Sequence, residues 1–263
     1  MDIFKIIDDF QKADGDAAGR LEYATRRHFM SKMSSKVALA AVPAMFASIV
    51  NKAFGQSAAA VDVLNYALTL EYLEDEFYKA GLAAANLIPA SDRTIFTQIG
   101  KHETQHVAFL VKALGTKAIA KPSFDFQYGG AFGDVFSNYK TFVTVSSALE
   151  DTGVRAYKGQ ADKLMADPQI LEYALQIHSV EARHAAVARR LAATVTGNAA
   201  MKGWITGKEG AVPAIYAGEE NMTQGGKDLK GLASKSDAAI TEAFDEPLRK
   251  EDVLAIAGPF IKA

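Results

Sequence analysis

The chain contains no cysteine among its 263 residues. Disulfide bridges, iron–sulfur clusters, rubredoxin-type iron sites and thiol catalysis are therefore excluded. Any transition metal must be held by histidine nitrogen and carboxylate oxygen, which suit iron or manganese better than metals that prefer sulfur. The chain also lacks an excess of charge of one sign, since its net charge is -2 and its pI is about 6.2. Without a basic footprint, nucleic acid is not an expected partner.

The first 56 residues resemble a leader rather than part of a folded domain. An arginine pair, Arg26 and Arg27, precedes an apolar segment over residues 37–50, and small residues follow up to Gly55. A basic region, a short apolar stretch and small residues at a cleavage site are typical of a secretory signal. The arginine pair resembles the twin-arginine class. The apolar segment is too short for a permanent membrane span. We expect a leader over residues 1–56 and export to the periplasm or the cell exterior; the alternative is a buried helix of the domain.

A motif occurs twice in the remainder of the chain. Each copy has a glutamate, a tyrosine seven residues later, and a Glu-x-x-His that begins 31 or 32 residues after the first glutamate. The two copies are Glu71, Tyr78, Glu103 and His106, and Glu150, Tyr157, Glu181 and His184. A glutamate from each of two helices, with a Glu-x-x-His from each of two others, is the ligand set of a two-metal site in a four-helix bundle. No other glutamate in the sequence has a histidine three residues later, so chance does not account for the repeat.

Helical spacing assigns a role to each ligand. Residues three apart share a helix face, so each Glu-x-x-His directs one carboxylate and one imidazole to the same side. We expect Glu103 and Glu181 to bridge two ions, with Glu71 and Glu150 as terminal ligands. Four carboxylates offset the charge of two divalent ions, whereas without metal they repel one another and some take up protons.

The two tyrosines of the motif lie two turns from its first glutamates, on the same helix faces. Tyr78 and Tyr157 are predicted to hydrogen-bond a ligand carboxylate on the opposite helix hairpin and so to orient it. The alternative is ordinary core packing with a satisfied hydroxyl, and the two roles are compatible.

Three further residues lie close to the motif in sequence. Glu74 is one turn after Glu71 and competes for the first ligand position, but only Glu71 has a tyrosine at the repeated spacing. His178 is one turn before Glu181 and is an alternative seventh ligand, although a polar position at the end of the site is favoured. His102 is predicted to point away from the site.

Apolar residues recur at helical spacing in four segments. These segments are residues 58–86, 92–114, 134–164 and 168–195. Ser91 is predicted to cap the second helix, and Pro168 stands in the first turn of the fourth. Short turns make the first and second helices, and the third and fourth, antiparallel pairs. The link over residues 116–133 is long enough to cross the whole bundle. The sequence therefore predicts an all-α four-helix bundle of two hairpins joined by a long crossover.

The character of the chain changes after the bundle, which is predicted over residues 57–197. Residues 198–235 are rich in glycine, lysine and polar residues and are predicted as loops. Two short helices are predicted over 236–244 and 247–257. We expect this extension, residues 198–263, to pack on the bundle or to form a contact in a homo-oligomer.

The ligand pattern resembles that of the ferritin-like superfamily, in particular the di-iron sites of bacterioferritin and rubrerythrin. The stretch from Leu68 to Tyr78, LTLEYLEDEFY, is similar to the secreted ferritin-like family that includes plant desiccation-related proteins. The resemblance covers residues 57–197 and implies a di-iron or di-manganese bundle that reacts with oxygen or peroxide. The absence of cysteine removes the rubredoxin module of rubrerythrins. No feature identifies the surfaces of an iron-storage cage, so storage is not implied.

We expect an exported protein with two iron or manganese ions that oxidises Fe(II) with oxygen or peroxide, or consumes peroxide, in stress protection. Iron and manganese both accept this ligand set. One alternative is a non-catalytic, structural or stress-protective protein. Another is an oxygenase acting on an organic substrate, which requires an apolar pocket beside the metals.

Overall fold

The computed structural model describes residues 57–210, 213–231 and 234–262, and the leader predicted for residues 1–56 lies outside them. Six helices are α1 Ala58–Ala83, α2 Ala90–Leu114, α3 Tyr139–Gln160, α4 Pro168–Thr196, α5 Asp237–Thr241 and α6 Lys250–Ala257. Two strands, β1 Thr223–Gln224 and β2 Lys227–Asp228, form a small antiparallel pair. None of the helices in the described ranges is long and apolar enough to cross a membrane. The prediction of an all-α fold is confirmed.

The four long helices form two hairpins. α1 packs chiefly against α2, and α3 chiefly against α4. The links over residues 84–89 and 161–167 are short, so the helices of each hairpin run in opposite directions. The longer link, residues 115–138, joins the hairpins and forms a β-bridge between Phe124 and Ile261 near the C-terminus. The four-helix bundle is therefore built as the spacing of apolar residues predicts.

On α4 a single stripe of side chains faces the core. Pro168 starts this helix and Gly197, at a φ of 71°, ends it in the left-handed conformation that favours glycine, as predicted. The buried stripe advances by three or four residues at a time, which is the period of one helix face. Its members are Ile170, Tyr173, Ile177, Glu181, His184, Ala185, Ala188, Arg189 and Ala192. Glu181 and His184 thus lie in the middle of this stripe, and Arg189 is its other charged residue.

The ends of the first hairpin differ from the predicted ones because the backbone sets them. α1 ends at Ala83 rather than residue 86, and Asn86 adopts a left-handed turn with a φ of 59°. The carbonyl of Pro89 accepts the backbone N–H of Asp92 at 3.0 Å, so α2 has already begun before Ser91. Ser91 therefore lies inside the helix, and the prediction that it is the N-cap is wrong.

α3 starts later than predicted because a separate turn precedes it. The N–H of Ser137 donates to the carbonyl of Asp134 at 2.9 Å, which closes that turn. The Asn138 side chain then accepts the N–H of Lys140 at 3.0 Å and caps the helix. At its other end, α3 gives way to a 3-10 turn, Ala161–Leu164, rather than continuing as α-helix.

Arg155 on α3 ties the C-terminal extension to the bundle. Its fully buried guanidinium donates to the carbonyls of Ile215, of Ala217 at 2.6 Å and of Glu246 at 2.7 Å. The same group lies 2.7 Å from Oε1 of the buried Glu219. Because a buried charge is tolerated only when it is paired and hydrogen-bonded, these contacts fix the path of the extension along α3.

The extension has less helix than predicted. α5 covers residues 237–241 of the predicted 236–244, with Ser236 as its N-cap, and α6 covers 250–257 of the predicted 247–257. The segment predicted as loops contains the β1–β2 pair, whose turn is formed by Gly225 and Gly226 at positive φ. Glycine adopts positive φ without the steric cost that other residues incur, which permits this tight reversal.

Replacing Arg155 with alanine is expected to lower the free energy of unfolding by about 3–5 kcal/mol, because it leaves buried Glu219 unpaired. Urea denaturation followed by circular dichroism measures the change. Arg183→Ala, at an exposed position of α4, is the matched control and is expected to change stability by no more than about 0.5 kcal/mol. Equal, small effects of both substitutions would show that Arg155 does not anchor the extension.

Candidate metal centre

Each of the four long helices brings a ligand-type side chain to the centre of the bundle. α1 and α3 each contribute one glutamate, whereas α2 and α4 each contribute a glutamate and a histidine. The four glutamates are completely buried, and His184 is 4% exposed. The His106 side chain is 12% exposed and is the part of the cluster nearest to solvent. The residues are Glu71, Glu103, His106, Glu150, Glu181 and His184.

The donor atoms of these six residues form two groups that share Glu103 and Glu181. Within each group the atoms lie within 4.8 Å of one another. The first group is Glu71, Glu103, His106 and Glu181, and the second is Glu103, Glu150, Glu181 and His184. Each group has its own histidine and its own glutamate and shares two glutamates with the other, an arrangement that is compatible with a di-metal site.

The two imidazoles face their carboxylates through the same ring nitrogen. His106 Nδ1 lies 3.1 Å from Glu71 Oε2, Glu103 Oε2 and Glu181 Oε1 alike. His184 Nδ1 lies 2.8 Å from Glu103 Oε1, 3.3 Å from Glu150 Oε2 and 3.8 Å from Glu181 Oε2. Each Nδ1 therefore points to three carboxylates, and the shared pair, Glu103 and Glu181, contacts both histidines.

Several of these buried donor atoms lie close to an oppositely charged group but have no partner in hydrogen-bonding geometry, which fits a metal-binding role. Within the described ranges, Glu103 Oε1, Glu150 Oε2, both Glu181 oxygens and His184 Nδ1 have no hydrogen-bond partner. Buried polar atoms are nearly always paired, and each orphan costs about 1–3 kcal/mol. Donor atoms that lie this close together, several of them without a hydrogen bond, are arranged as ligands around common points. Their hard oxygen and imidazole chemistry suits iron or manganese.

The crowding also shifts the pKa values of the cluster. Burial, together with the charge of Glu181, raises the pKa of Glu103 well above its ordinary value. Burial raises the pKa of Glu150 to about 7. Burial acts in the same direction on Glu181, but the neighbouring imidazoles of His106 and His184 lower the pKa of that carboxyl to about 2. Without metal, the cluster therefore shares a small number of protons, which bound cations would displace.

The two tyrosines of the repeated motif each hydrogen-bond a glutamate across the bundle. The Tyr78 hydroxyl donates to Glu150 Oε1 and lies 2.8 Å from Ser146 Oγ. The Tyr157 hydroxyl donates to Glu71 Oε1. Both bonds connect one hairpin to the other, and both leave the second oxygen of the glutamate directed at the cluster. Each tyrosine therefore restrains the rotamer of a buried glutamate of the cluster.

His102 contacts the buried cluster, which the sequence did not predict. Its Nδ1 lies 2.8 Å from His184 Nε2, and its Nε2 lies 2.7 Å from the Gln98 amide nitrogen. The prediction that His102 points away is wrong, because a residue next to Glu103 on α2 still borders the face turned to α4. A histidine ligand is oriented by the partner of its second ring nitrogen. His102 occupies that nitrogen of His184 and leaves Nδ1 for a metal.

The two alternative ligands lie outside both groups of donor atoms. Glu74 is nonetheless buried, and burial with the charge of Glu181 and Glu150 raises its pKa well above the ordinary value. His178 is half-buried, and among the described residues its Nδ1 finds no hydrogen-bond partner. The structure thus brings Glu71, rather than Glu74, to the first ligand position.

Removing the hydroxyl of Tyr157 by substitution with phenylalanine is expected to weaken metal binding by about 10–100-fold, the usual effect of losing a group that orients a ligand. Tyr78→Phe should act likewise, since it frees Glu150. Competition with a chromophoric chelator measures the affinity for Mn(II). Tyr139→Phe removes a hydroxyl that binds Asp92 at 2.6 Å away from the cluster, and should leave affinity unchanged. Unaltered affinity for Mn(II) in both test variants would show that the tyrosines do not orient the glutamates for metal binding.

Comparison with known protein families gives a match that spans the bundle. A family model described as a ferritin-like domain matches residues 59–194, which is the segment from the first turn of α1 to the last turn of α4. A comparison with curated proteins gave no significant match. The matched segment contains all six residues of the buried cluster and makes up more than half of the chain. The chain therefore belongs to the ferritin-like domain family.

Proposed function

We propose that the protein is a di-metal carboxylate oxidoreductase that holds two iron ions, or manganese, and reacts with oxygen or peroxide. The observation that carries this proposal is the pair of donor groups that share Glu103 and Glu181. When bound, such ions supply one-electron chemistry with oxygen species. We favour oxidation of Fe(II), or the scavenging of peroxide, as a stress-protective activity.

The surrounding residues serve this chemistry by placement and exclusion. Glu103 and Glu181 hold the two positions close together, and their complete burial keeps bulk water from the shared oxygens. His106, as the most exposed member of the cluster, marks the side from which Fe(II) or peroxide reaches it. His102 lies against His184, and Gln98 in turn hydrogen-bonds His102.

A second candidate function, oxygenation of an organic substrate, gains support from one observation. That activity requires an apolar pocket next to the metals, and a cavity with mostly apolar walls includes Glu74 and Gly153 in its lining. A Cβ placed on Gly153 would lie 3.5 Å from Glu181 Oε2, so the cavity approaches a shared ligand. A non-catalytic role has no comparable observation in its favour.

Metal content and turnover of the purified full chain test the proposal together. We expect two Fe or Mn per chain after loading, with oxidation of Fe(II) by oxygen or consumption of peroxide. Glu103→Ala removes a shared ligand and should reduce both metal content and turnover by about tenfold or more. Glu172→Ala, an exposed glutamate on α4, is the matched control and should change neither.

The two measurements separate the parts of the proposal. A chain that is fully loaded yet turns over neither Fe(II) nor peroxide would exclude the proposed activity while retaining the metal site. A folded chain that takes up neither ion would exclude the metal site as well.

We further propose export by the twin-arginine route, which carries folded proteins and so allows metal to be loaded beforehand. The support comes from the sequence of residues 1–56 alone. Mass spectrometry of protein recovered from the cell envelope should find a new N-terminus near Gly55. Arg26→Lys with Arg27→Lys should leave the unprocessed chain inside the cell. Intact Met1 on the envelope protein would contradict cleavage.

A further inference from the structure

A cavity of about 210 Å³ lies between the two hairpins, on the side of the bundle that the C-terminal extension covers. α1 and α3 form two of its walls, and they contact each other far less than either contacts its hairpin partner. The crossover link and the extension form the remaining walls. From these segments come Tyr128, Phe132, Ile215, Ile256, Ala257 and Phe260.

The walls of this cavity are almost entirely apolar. Leu70, Leu73, Val145 and Leu149 line it from the bundle, and all four are buried. Protein interiors rarely leave voids larger than a water molecule. An apolar cavity of roughly 150 Å³ stays dry and binds benzene, and this one is larger. Its shape and chemistry therefore suit an organic molecule rather than a cluster of water.

The inner end of the cavity reaches the carboxylates. Gly153, in the middle of α3, would place a Cβ 3.2 Å from Glu74 Oε1 and 3.5 Å from Glu181 Oε2. Glycine inside a helix costs about 1 kcal/mol relative to alanine, so the close approach of these groups gives it a steric reason. Glu74, which belongs to neither metal group, is the one carboxyl in the lining. It offers a polar contact to whatever occupies this end.

The outer end of the cavity opens toward solvent. Its lining on α3 runs from Thr144 to Gly153, a distance of about 14 Å at 1.5 Å per residue. Thr144 and Ala148 are partly exposed, whereas Thr152, near the inner end, is buried. Ile256 on the facing α6 is also partly exposed. The lining on α3 therefore passes from partly exposed at Thr144 to buried at Thr152.

We propose that this cavity binds a neutral, apolar organic molecule the size of a small aromatic or a short aliphatic chain. One end of the bound molecule lies against Glu74 and Gly153. Burial of apolar surface at about 25 cal/mol per Å² supplies the affinity. The Glu74 carboxyl in the lining and the nearby Glu181 disfavour an anion, and the apolar walls disfavour any strongly hydrated group. Binding itself does not require metal. Only the placement of the ligand beside the ions rests on the proposed function.

Toluene is the probe, titrated calorimetrically into the full chain with and without Mn(II). We expect saturable binding at one site in both forms. Ala148→Phe places a ring inside the outer half of the cavity and should weaken toluene binding by about tenfold or more, equivalent to about 1.4 kcal/mol. Ala182→Phe, on the exposed side of α4, is the matched control and should bind toluene like the wild type. Both variants should retain wild-type metal content.

Failure of this inference is distinguishable from failure of the proposed function. Normal metal uptake without toluene binding would overturn the cavity site alone. Toluene binding by a chain that takes up no metal would overturn the metal centre alone. Equal toluene affinity in Ala148→Phe and the wild type would place the probe elsewhere and overturn the site. A crystal pressurised with xenon should show the gas between Leu73 and Leu149. Xenon bound only at other positions would also overturn the cavity site.

Discussion

The burial of four carboxylates and two imidazoles at the centre of an apolar bundle is the constraint on which the rest of this structure depends. Glu71, Glu103, Glu150 and Glu181 have no solvent exposure. An ionised carboxylate moved from water to a protein interior costs several kcal/mol unless opposite charge compensates it. Protons do so in part, and two divalent cations would do so fully. The fold therefore buries four carboxylates close together, and bound cations would offset the free-energy cost of that burial.

The neighbouring residues hold the glutamates and histidines of the cluster in place. Tyr78 and Tyr157 each hydrogen-bond one carboxylate oxygen, of Glu150 and Glu71 respectively, and leave the other oxygen facing an imidazole of the cluster. His102 occupies the outer nitrogen of His184. These bonds connect elements that are distant in sequence, so they hold the two hairpins in register around the cluster. A cluster of ligands becomes a specific site only when its members are held in this way.

The sequence predicted the helices and the ligand pattern because both depend on local periodicity. A Glu-x-x-His places both side chains on one face whatever surrounds the helix, and the repeat linked the two hairpins. Ser91 shows where this fails, since the carbonyl of Pro89, rather than a favourable side chain, set the start of α2. The role of His102 was missed because it depends on how closely α2 approaches α4. Packing distances of that kind have no signature in a single sequence.

The cavity was beyond prediction for the same reason. Its walls come from α1, α3, the crossover link and the extension, which the sequence separates widely. A single glycine, Gly153, keeps its inner end open to the carboxylates. Arg155, two residues later on α3, anchors the extension, which forms part of the outer wall of the cavity. One short segment of α3 thus connects the ligand Glu150, the cavity and the extension.

Anomalous diffraction from crystals grown with Mn(II) or Fe(II) tests the central claim most directly. We expect two peaks per chain about 3.5–4 Å apart, both bonded to Glu103 and Glu181, one to His106 and the other to His184. A single peak, or ions bound only to surface carboxylates while the buried cluster holds protons, would contradict it.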